Sequence, residues 1–184
     1  MIRRSSVWRG FAGETRGLAM IEFAMVLPFL LILYLGSVQL QDGIACNRKV
    51  TIATRATADL VAQNATGTTT AKDIDNSLAA AAQVMAPYRT DRAVIRLMQV
   101  TIGLDMKPHV DWSRARNGAP DTLTAIKSSD IIGGPGESVL VAHVTYNYKP
   151  PSNFGFIKPI SFNDYLVMLP RNTPTITCTD CQTS

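Results

Sequence analysis

Glu22 is a charged residue inside an apolar run, and its placement is the first sign of chemistry in the chain. The run extends from Leu18 to Leu40, and no charged residue occurs from Phe23 onward within it. A carboxylate in hydrocarbon is costly unless it is paired or reaches water, so acids in membrane segments are rare and usually functional. Glu22 therefore needs a cationic partner, or it reaches headgroup water or Arg16 at the edge of the bilayer.

Cysteines form a second group with possible chemistry. Cys178 and Cys181 make a C-x-x-C motif close to the C-terminus, and the third cysteine is Cys46. The motif is half of a zinc site or a redox pair, but the sequence has no second pair and no strand-then-helix context. Outside the cytoplasm a small Cys178–Cys181 disulfide loop is the simplest outcome, and a bond from either residue to Cys46 is the alternative. If unbonded, Cys46 is an inert helix residue or a contact between subunits.

No set of residues has the pattern of a catalytic centre. His109 and His143 are the two histidines, and each falls on a predicted strand without another ligand at metal-binding spacing. The glycines of GGPGES lack the Gly-Lys-Ser/Thr ending of a phosphate loop, and no serine lies in a G-x-S-x-G elbow. We therefore expect no enzymatic activity, no cofactor and no metal.

Charge is concentrated at the N-terminus. The chain has 184 residues and a formal net charge of +4. Residues 1–17 hold four arginines and one glutamate, and the rest of the chain is nearly balanced. There is no basic stripe interleaved with aromatic residues, so nucleic acid is not an expected partner. The composition suits one modest globular domain and an anchor.

The apolar run predicts a retained membrane helix. At about 1.5 Å per residue, Leu18–Leu40 reaches roughly 35 Å, enough to cross a bilayer. A cleaved secretory signal is the alternative, but its apolar core would be shorter, and Ser37-Val38-Gln39 matches its cleavage site poorly. The arginines before the run orient the N-terminus toward the cytoplasm. Pro28 is tolerated inside the helix when neighbouring groups satisfy the freed carbonyl.

The remaining chain predicts a helical extension followed by an α+β head. Apolar residues recur at roughly helical spacing over residues 41–66, with charged residues off that stripe, which indicates an amphipathic helix; the stripe is Ile44, Ile52, Ala56, Leu60 and Val61. A second helix is predicted over 71–88, with Thr70 as N-cap and Pro87 as its stop. Four strands follow, predicted at 93–104, 109–113, 138–149 and 163–170.

These elements give the predicted organisation. Residues 1–17 form a basic cytoplasmic leader, residues 18–40 the transmembrane helix, residues 41–66 its amphipathic extension, and residues 71–184 the extracytoplasmic head. The fold class is α+β, with a long N-terminal helix, a second helix and a small antiparallel sheet.

The start of the apolar helix resembles the processing site of type IV prepilins. A basic tail, Gly17, four residues and Glu22 precede an unbroken apolar helix. The resemblance implies that a membrane peptidase cuts between Gly17 and Leu18, which makes Glu22 the fifth residue of the mature chain. The cut would create an ammonium group at Leu18, and a carboxylate on a neighbouring subunit's helix would pair with it. Glu22 would then set the axial register of bundled helices.

A closer resemblance is to TadE-like and TadG-like proteins, the pseudopilin-type components of tight-adherence (Tad) pilus assembly. It rests on Arg16, Gly17, Glu22-Phe23-Ala24, Leu27 and Pro28, and on later segments including RATADLVAQ, VDWSRARNG and VLVAHVTYNYKP. The chain lacks the large added domain of some members, so the resemblance does not separate TadE-like from TadG-like proteins.

The resemblance implies a pilin-like fold and a minor pilin-like subunit or assembly factor in a bacterial inner membrane. The chain would be single-pass, with a periplasmic or extracellular C-terminal domain. Its implied partners are other pilin-like subunits, the Tad secretion machinery and prepilin peptidase. One rival is an uncleaved single-pass envelope domain with no filament role. Another is an extracytoplasmic redox protein that uses Cys178 and Cys181.

The charge asymmetry predicts the orientation of the chain. A C-terminal alkaline phosphatase fusion should be active, because the arginines before the run hold the N-terminus in the cytoplasm. A C-terminal fusion to a fluorescent protein that matures only in the cytoplasm is the matched control and should stay dark. An inactive phosphatase together with a bright fluorescent fusion would reverse the predicted orientation.

Overall fold

A computed structural model describes residues 15–123, 133–150 and 158–181 of the chain. The chain divides into two compact units, Met1–Asp42 and Gly43–Ser184. Its elements are, in order, α1 (Thr15–Ala62), β1 (Thr68–Thr69), α2 (Ala71–Gln83), a 3-10 turn (Thr90–Arg92), β2 (Ala93–Ile102), β3 (Pro108–Arg116), β4 (Ser138–Tyr148), β5 (Ile160–Met168) and β6 (Thr177–Cys178). A long apolar helix, a second helix and a small antiparallel sheet give the α+β class expected from the sequence.

The described part of the first unit is the apolar portion of α1. Residues 1–14 of the predicted leader lie outside the described residues. The most apolar window of the helix has a mean hydropathy of 2.4, and none of it is buried. Leu18, Phe29 and Leu33 are 60%, 68% and 70% exposed. Helix α1 is therefore long and apolar enough to cross a membrane.

In the second unit, α1 buries a face made of small and medium side chains. Its buried residues are Cys46, Val50, Ala53, Thr54, Thr57, Ala58, Val61 and Ala62. The two threonine hydroxyls donate to carbonyls one turn earlier, from Thr54 to Val50 at 2.9 Å and from Thr57 to Ala53 at 2.7 Å. This internal bonding satisfies the buried hydroxyls, so the whole face packs as if it were apolar.

The large apolar side chains of this portion of α1 point away from the core. Ile44, Ile52 and Leu60 are 48%, 51% and 45% exposed. The apolar stripe predicted from the spacing is therefore not the buried face, and Val61 is its one member in the core. Helix α1 ends at Ala62, four residues before the predicted end at 66. Periodicity gives weight to large apolar residues, whereas the close-packed core of this head takes mainly small ones from α1.

The four-stranded sheet has the order β3-β2-β4-β5, and all its neighbours are antiparallel. Strands β2 and β4 lie within two residues of their predicted bounds, whereas β3 and β5 start and end differently. The face toward the helices contributes Ile95, Leu97, Trp112, Leu140, Ala142 and Val144 to the main core. The opposite face has a smaller buried cluster of Met98, Val100, Val139 and Val141, against which Leu123 and Val167 pack. The alternation of strand side chains places a core on each face.

Helix α2 begins as the sequence predicts and ends earlier. The Thr70 side chain accepts a hydrogen bond from the backbone N–H of Asp73 at 3.2 Å, which is an N-cap. The helix ends at Gln83 rather than at residue 88. Ile74 and Leu78 are fully buried and join the main core.

Residues 169–181, here called the C-terminal strap, fasten separate parts of the head together. Their strand β6 pairs in parallel with β1, an interaction that the sequence pattern did not predict. The backbone N–H of Arg171 donates to the Ala62 carbonyl at 3.0 Å, where α1 ends. The N–H of Thr177 donates to the carbonyl of Gly67 at 2.9 Å. The strap thus holds the end of α1 and the loop that follows it.

The middle of the strap is anchored in the core. Ile176 is fully buried. Its carbonyl accepts the indole N–H of Trp112 at 2.7 Å, and its own N–H donates to the side-chain oxygen of Gln99 at 2.9 Å. Both of these side chains belong to the sheet and are almost completely buried. Side-chain hydrogen bonds therefore replace strand pairing where the strap crosses the sheet.

The small face of α1 predicts a strong dependence on side-chain size. Ala58→Leu should lower the free energy of unfolding by about 1–3 kcal/mol, because added methylenes do not fit a close-packed core. The measurement is urea denaturation of the full chain in detergent. Ala45→Leu, at an exposed position of the same helix, is the matched control and should change stability by less than about 0.5 kcal/mol. Equal effects of the two substitutions would contradict this packing.

Candidate functional site

Gly17, Leu18 and Glu22 all lie in the first turns of α1. Leu18 and Glu22 are one turn apart on the same face of the helix, about 6 Å along its axis. Glu22 is exposed, in the midst of exposed apolar side chains. Beyond its chain neighbours and the backbone of its own helix, no described atom lies within 4 Å of the position that a Cβ would take at Gly17. The helix therefore places Leu18 and Glu22 on one side of α1.

This arrangement has a specific electrostatic consequence. If the chain were cut after Gly17, the Leu18 nitrogen would become an ammonium group at the first residue of the helix. Side chains of an α-helix tilt toward its N-terminus, so the Glu22 carboxylate leans toward that nitrogen. Glu22 is thus placed to meet a positive charge on its own or on an adjacent helix.

The second predicted site is a disulfide loop at the end of the strap. Cys178 and Cys181 are bonded to each other, with their Cα atoms 5.5 Å apart. Between them, Asp180 accepts a hydrogen bond from the backbone N–H of Ala71 at 2.6 Å. That N–H belongs to the first residue of α2, so the loop supplies an acceptor to a helix N-terminus. Cys46 is buried in the main core, and its thiol is not part of this disulfide.

The same loop contains a set of potential metal ligands. The ligand atoms of Cys178, Asp180 and Cys181 lie within 4.8 Å of one another. Metal binding by cysteine requires thiolates, and these two sulfur atoms are bonded to each other. The oxidised loop therefore offers a single carboxylate, which is already engaged with α2.

A polar cluster on the outer face of the sheet joins residues that are distant in sequence. His143 on β4 bonds through Nδ1 to the Asp121 carboxylate and through Nε2 to the Asn163 side-chain oxygen at 2.6 Å. The guanidinium of Arg96 on β2 lies 3.7 Å from Asp121. Oxygen acceptors at both ring nitrogens favour the doubly protonated, charged ring. The cluster holds the connection after β3 against the sheet.

The hydrogen bond with Asp121 raises the pKa of His143 above its ordinary value of 6.5. Burial lowers that pKa, and the negative charge of Asp121 and the bond to Asn163 raise it further. Arg96 opposes the charged ring through like-charge repulsion. Among the described residues, Asp121 and Arg96 are the charged groups that face the ring.

The sequence predicts a half-exposed or satisfied strand histidine at His143 but does not identify its partner. Asp121 lies in a turn-rich connection, 22 positions before His143, and nothing in its spacing links the two. The strand pairing of β4 with β2 and β5 brings Arg96 and Asn163 beside the ring. His109, by contrast, is exposed on the edge strand β3.

Comparisons of the chain with protein-family models, with curated proteins and with solved structures find no match. The features that bear on function are those of the chain itself: the apolar helix with Glu22, the disulfide loop and the cluster around His143.

The His143 cluster predicts a pH-dependent contribution to stability. A raised folded-state pKa means that the contribution is fully present below the unfolded pKa of about 6.5 and is lost as pH rises through the higher folded pKa. His143→Gln should therefore lower the melting temperature of the full chain more at about pH 5.5 than at about pH 9. His109→Gln is the matched control. If the melting temperatures of His143→Gln and of the wild-type chain differed by the same amount at both pH values, the charged, stabilising state assigned to His143 would be contradicted.

Proposed function

We propose that the chain is a single-pass protein of a bacterial inner membrane that acts as a minor pilin-like subunit or assembly factor of a Tad-type adhesion pilus. Helix α1 anchors it, the second unit forms a periplasmic or extracellular head, and prepilin peptidase processes it between Gly17 and Leu18. Its partners are other pilin-like subunits and the Tad secretion machinery. The proposed role is assembly, and it requires no catalytic centre.

The observation that carries the proposal is Glu22 on the exposed apolar part of α1, one turn after Leu18. An acid at this place is costly for a simple anchor unless it reaches headgroup water or Arg16, because hydrocarbon itself offers it no partner. It becomes useful when a new ammonium group at Leu18 shares its face or when a neighbouring helix presents one. The resemblance of the surrounding residues to TadE-like and TadG-like proteins supports the same role.

The outward face of α1 in the second unit supports helix association. Ile44, Ile52 and Leu60 are each about half exposed, although the same helix buries smaller residues against its own head. Large aliphatic side chains left at a surface favour contact with another apolar surface. Such contacts would extend a helix bundle beyond the membrane-spanning part.

A plain membrane-anchored envelope domain, never cleaved, is the second candidate. One observation favours it: Gly17 is already helical, because α1 begins at Thr15. A peptidase that cuts after Gly17 would have to unwind this first turn. Glycine has a low helix propensity and helix ends open readily, so the energy required is small.

Processing is tested by a bulky substitution at the proposed cut site. Gly17→Leu should block cleavage, because a pocket that admits only hydrogen excludes a side chain. The intact mass of the protein from its native membrane would then include residues 1–17. Gly36→Leu is the matched control, since Gly36 is also helical and, beyond its chain neighbours and its own helix, has no described atom within 4 Å of its Cβ position, and it should be processed normally. An unprocessed wild-type chain would favour the simple anchor.

Assembly is tested separately at Glu22. Glu22→Ala should leave the cleaved mass unchanged, because the scissile bond is untouched, and should still insert in the membrane. Association with other pilus components should fail, since an ammonium group left without its partner costs about 3–5 kcal/mol in a fully buried pair. Pulldown of pilus components and counts of surface pili measure this loss. Normal piliation of the variant would exclude the proposed role of Glu22.

A further inference from the structure

A cleft lies between the C-terminal strap and strands β2 and β3. Its volume is about 660 Å³, within the range of small-molecule sites in proteins. Its polar side chains are Gln99, Thr101, Asp111, Ser138, Thr175 and Thr177. Among the described residues that line it, Asp111 is the one that carries a charge. The cleft is separate from Glu22, from the His143 cluster and from the proposed pilus role.

A β-bulge directs Asp111 into this cleft. Gln99 pairs with Trp112 and Val100 pairs with Val110, so Asp111 is the extra, unpaired residue of β3. Bulges of this kind re-aim a side chain and are common next to functional sites. Here the bulge places a carboxylate beside the buried amide of Gln99.

The carboxylate is held in place through one of its two oxygens. Oδ2 of Asp111 accepts hydrogen bonds from the Gln99 amide at 2.9 Å and from the Thr101 hydroxyl at 2.6 Å. Gln99 is 1% exposed and is itself fixed by bonds to Thr175 and Ile176. In the part of the chain that the structure describes, the other oxygen, Oδ1, accepts no hydrogen bond. Because Asp111 also lines the cleft, its carboxylate is a preorganised anionic acceptor at the cleft wall.

We propose that this cleft binds a small polar primary amine, with the ammonium group on Oδ1 of Asp111, and that an amino sugar is the ligand class it fits. An ammonium has three donors and no acceptor, which matches a carboxylate beside hydroxyl groups. The hydroxyls of Thr175 and Thr177, which are exposed and line the cleft, can bond to sugar hydroxyls. A calcium ion requires 6–8 oxygen ligands and usually several carboxylates, and a single aspartate does not supply them.

The proposal is tested by titrating the full chain in detergent with glucosamine at about pH 7. Glucose, which lacks the ammonium group, is the uncharged control. The reporter is the NMR signal of the Trp112 indole N–H, since this residue lines the cleft. Glucosamine should bind at least about tenfold more tightly than glucose, because only it makes a charge-assisted bond to Asp111. Asp111→Asn should abolish this preference, and Asp164→Asn on β5, outside the cleft, should preserve it.

Three results would overturn the proposal. The first is an unshifted Trp112 signal with glucosamine, and the second is equal affinity of the wild-type chain for glucosamine and glucose. Both are read on the wild-type chain, so they stand even if Asp111→Asn fails to fold. The third is tighter binding of Nα-acetyl-lysine amide than of glucosamine, which would assign the ammonium site to a protein side chain instead of a sugar.

Discussion

The small side chains on one face of α1, among them Ala53, Thr57 and Ala58, are buried in the core that the helix shares with α2 and the inner face of the sheet. The helix therefore contributes to the core mainly through small and medium side chains. It also determines what remains outside, because the large side chains at Ile44 and Ile52 must then point away. One packing constraint thus builds the head and leaves an apolar surface on the same helix.

The C-terminal strap completes the head. It bonds to the end of α1 at Ala62, pairs with β1, and buries Ile176 between groups of the sheet. The Cys178–Cys181 disulfide closes only a short loop, so it organises the strap's end, including the cap that Asp180 provides to α2. The crossing of the strap over the sheet also forms the cleft that contains Asp111.

Three acids in the chain differ in how completely they are paired. Asp121 is almost buried and is satisfied by His143 and Arg96, so it holds the connection after β3 to the sheet. Asp111 is half satisfied, with one oxygen engaged by Gln99 and Thr101. Glu22 is exposed among apolar side chains, and in the proposed role its partner is supplied only by processing or assembly. Internal pairing explains the structural role of Asp121, whereas the incomplete pairing of Asp111 and Glu22 is the basis of the two proposals.

The sequence by itself determined the apolar helix, the Thr70 cap of α2, and strands β2 and β4, because these depend on local composition and period. It also singled out Gly17, Leu18, Glu22, Cys178 and Cys181 by type and spacing. The tertiary structure decided the buried face of α1, the β1–β6 pairing, the partnership of His143 with Asp121, and the bulge at Asp111. These features depend on which distant segments meet, and neither a helical nor a strand period encodes that information.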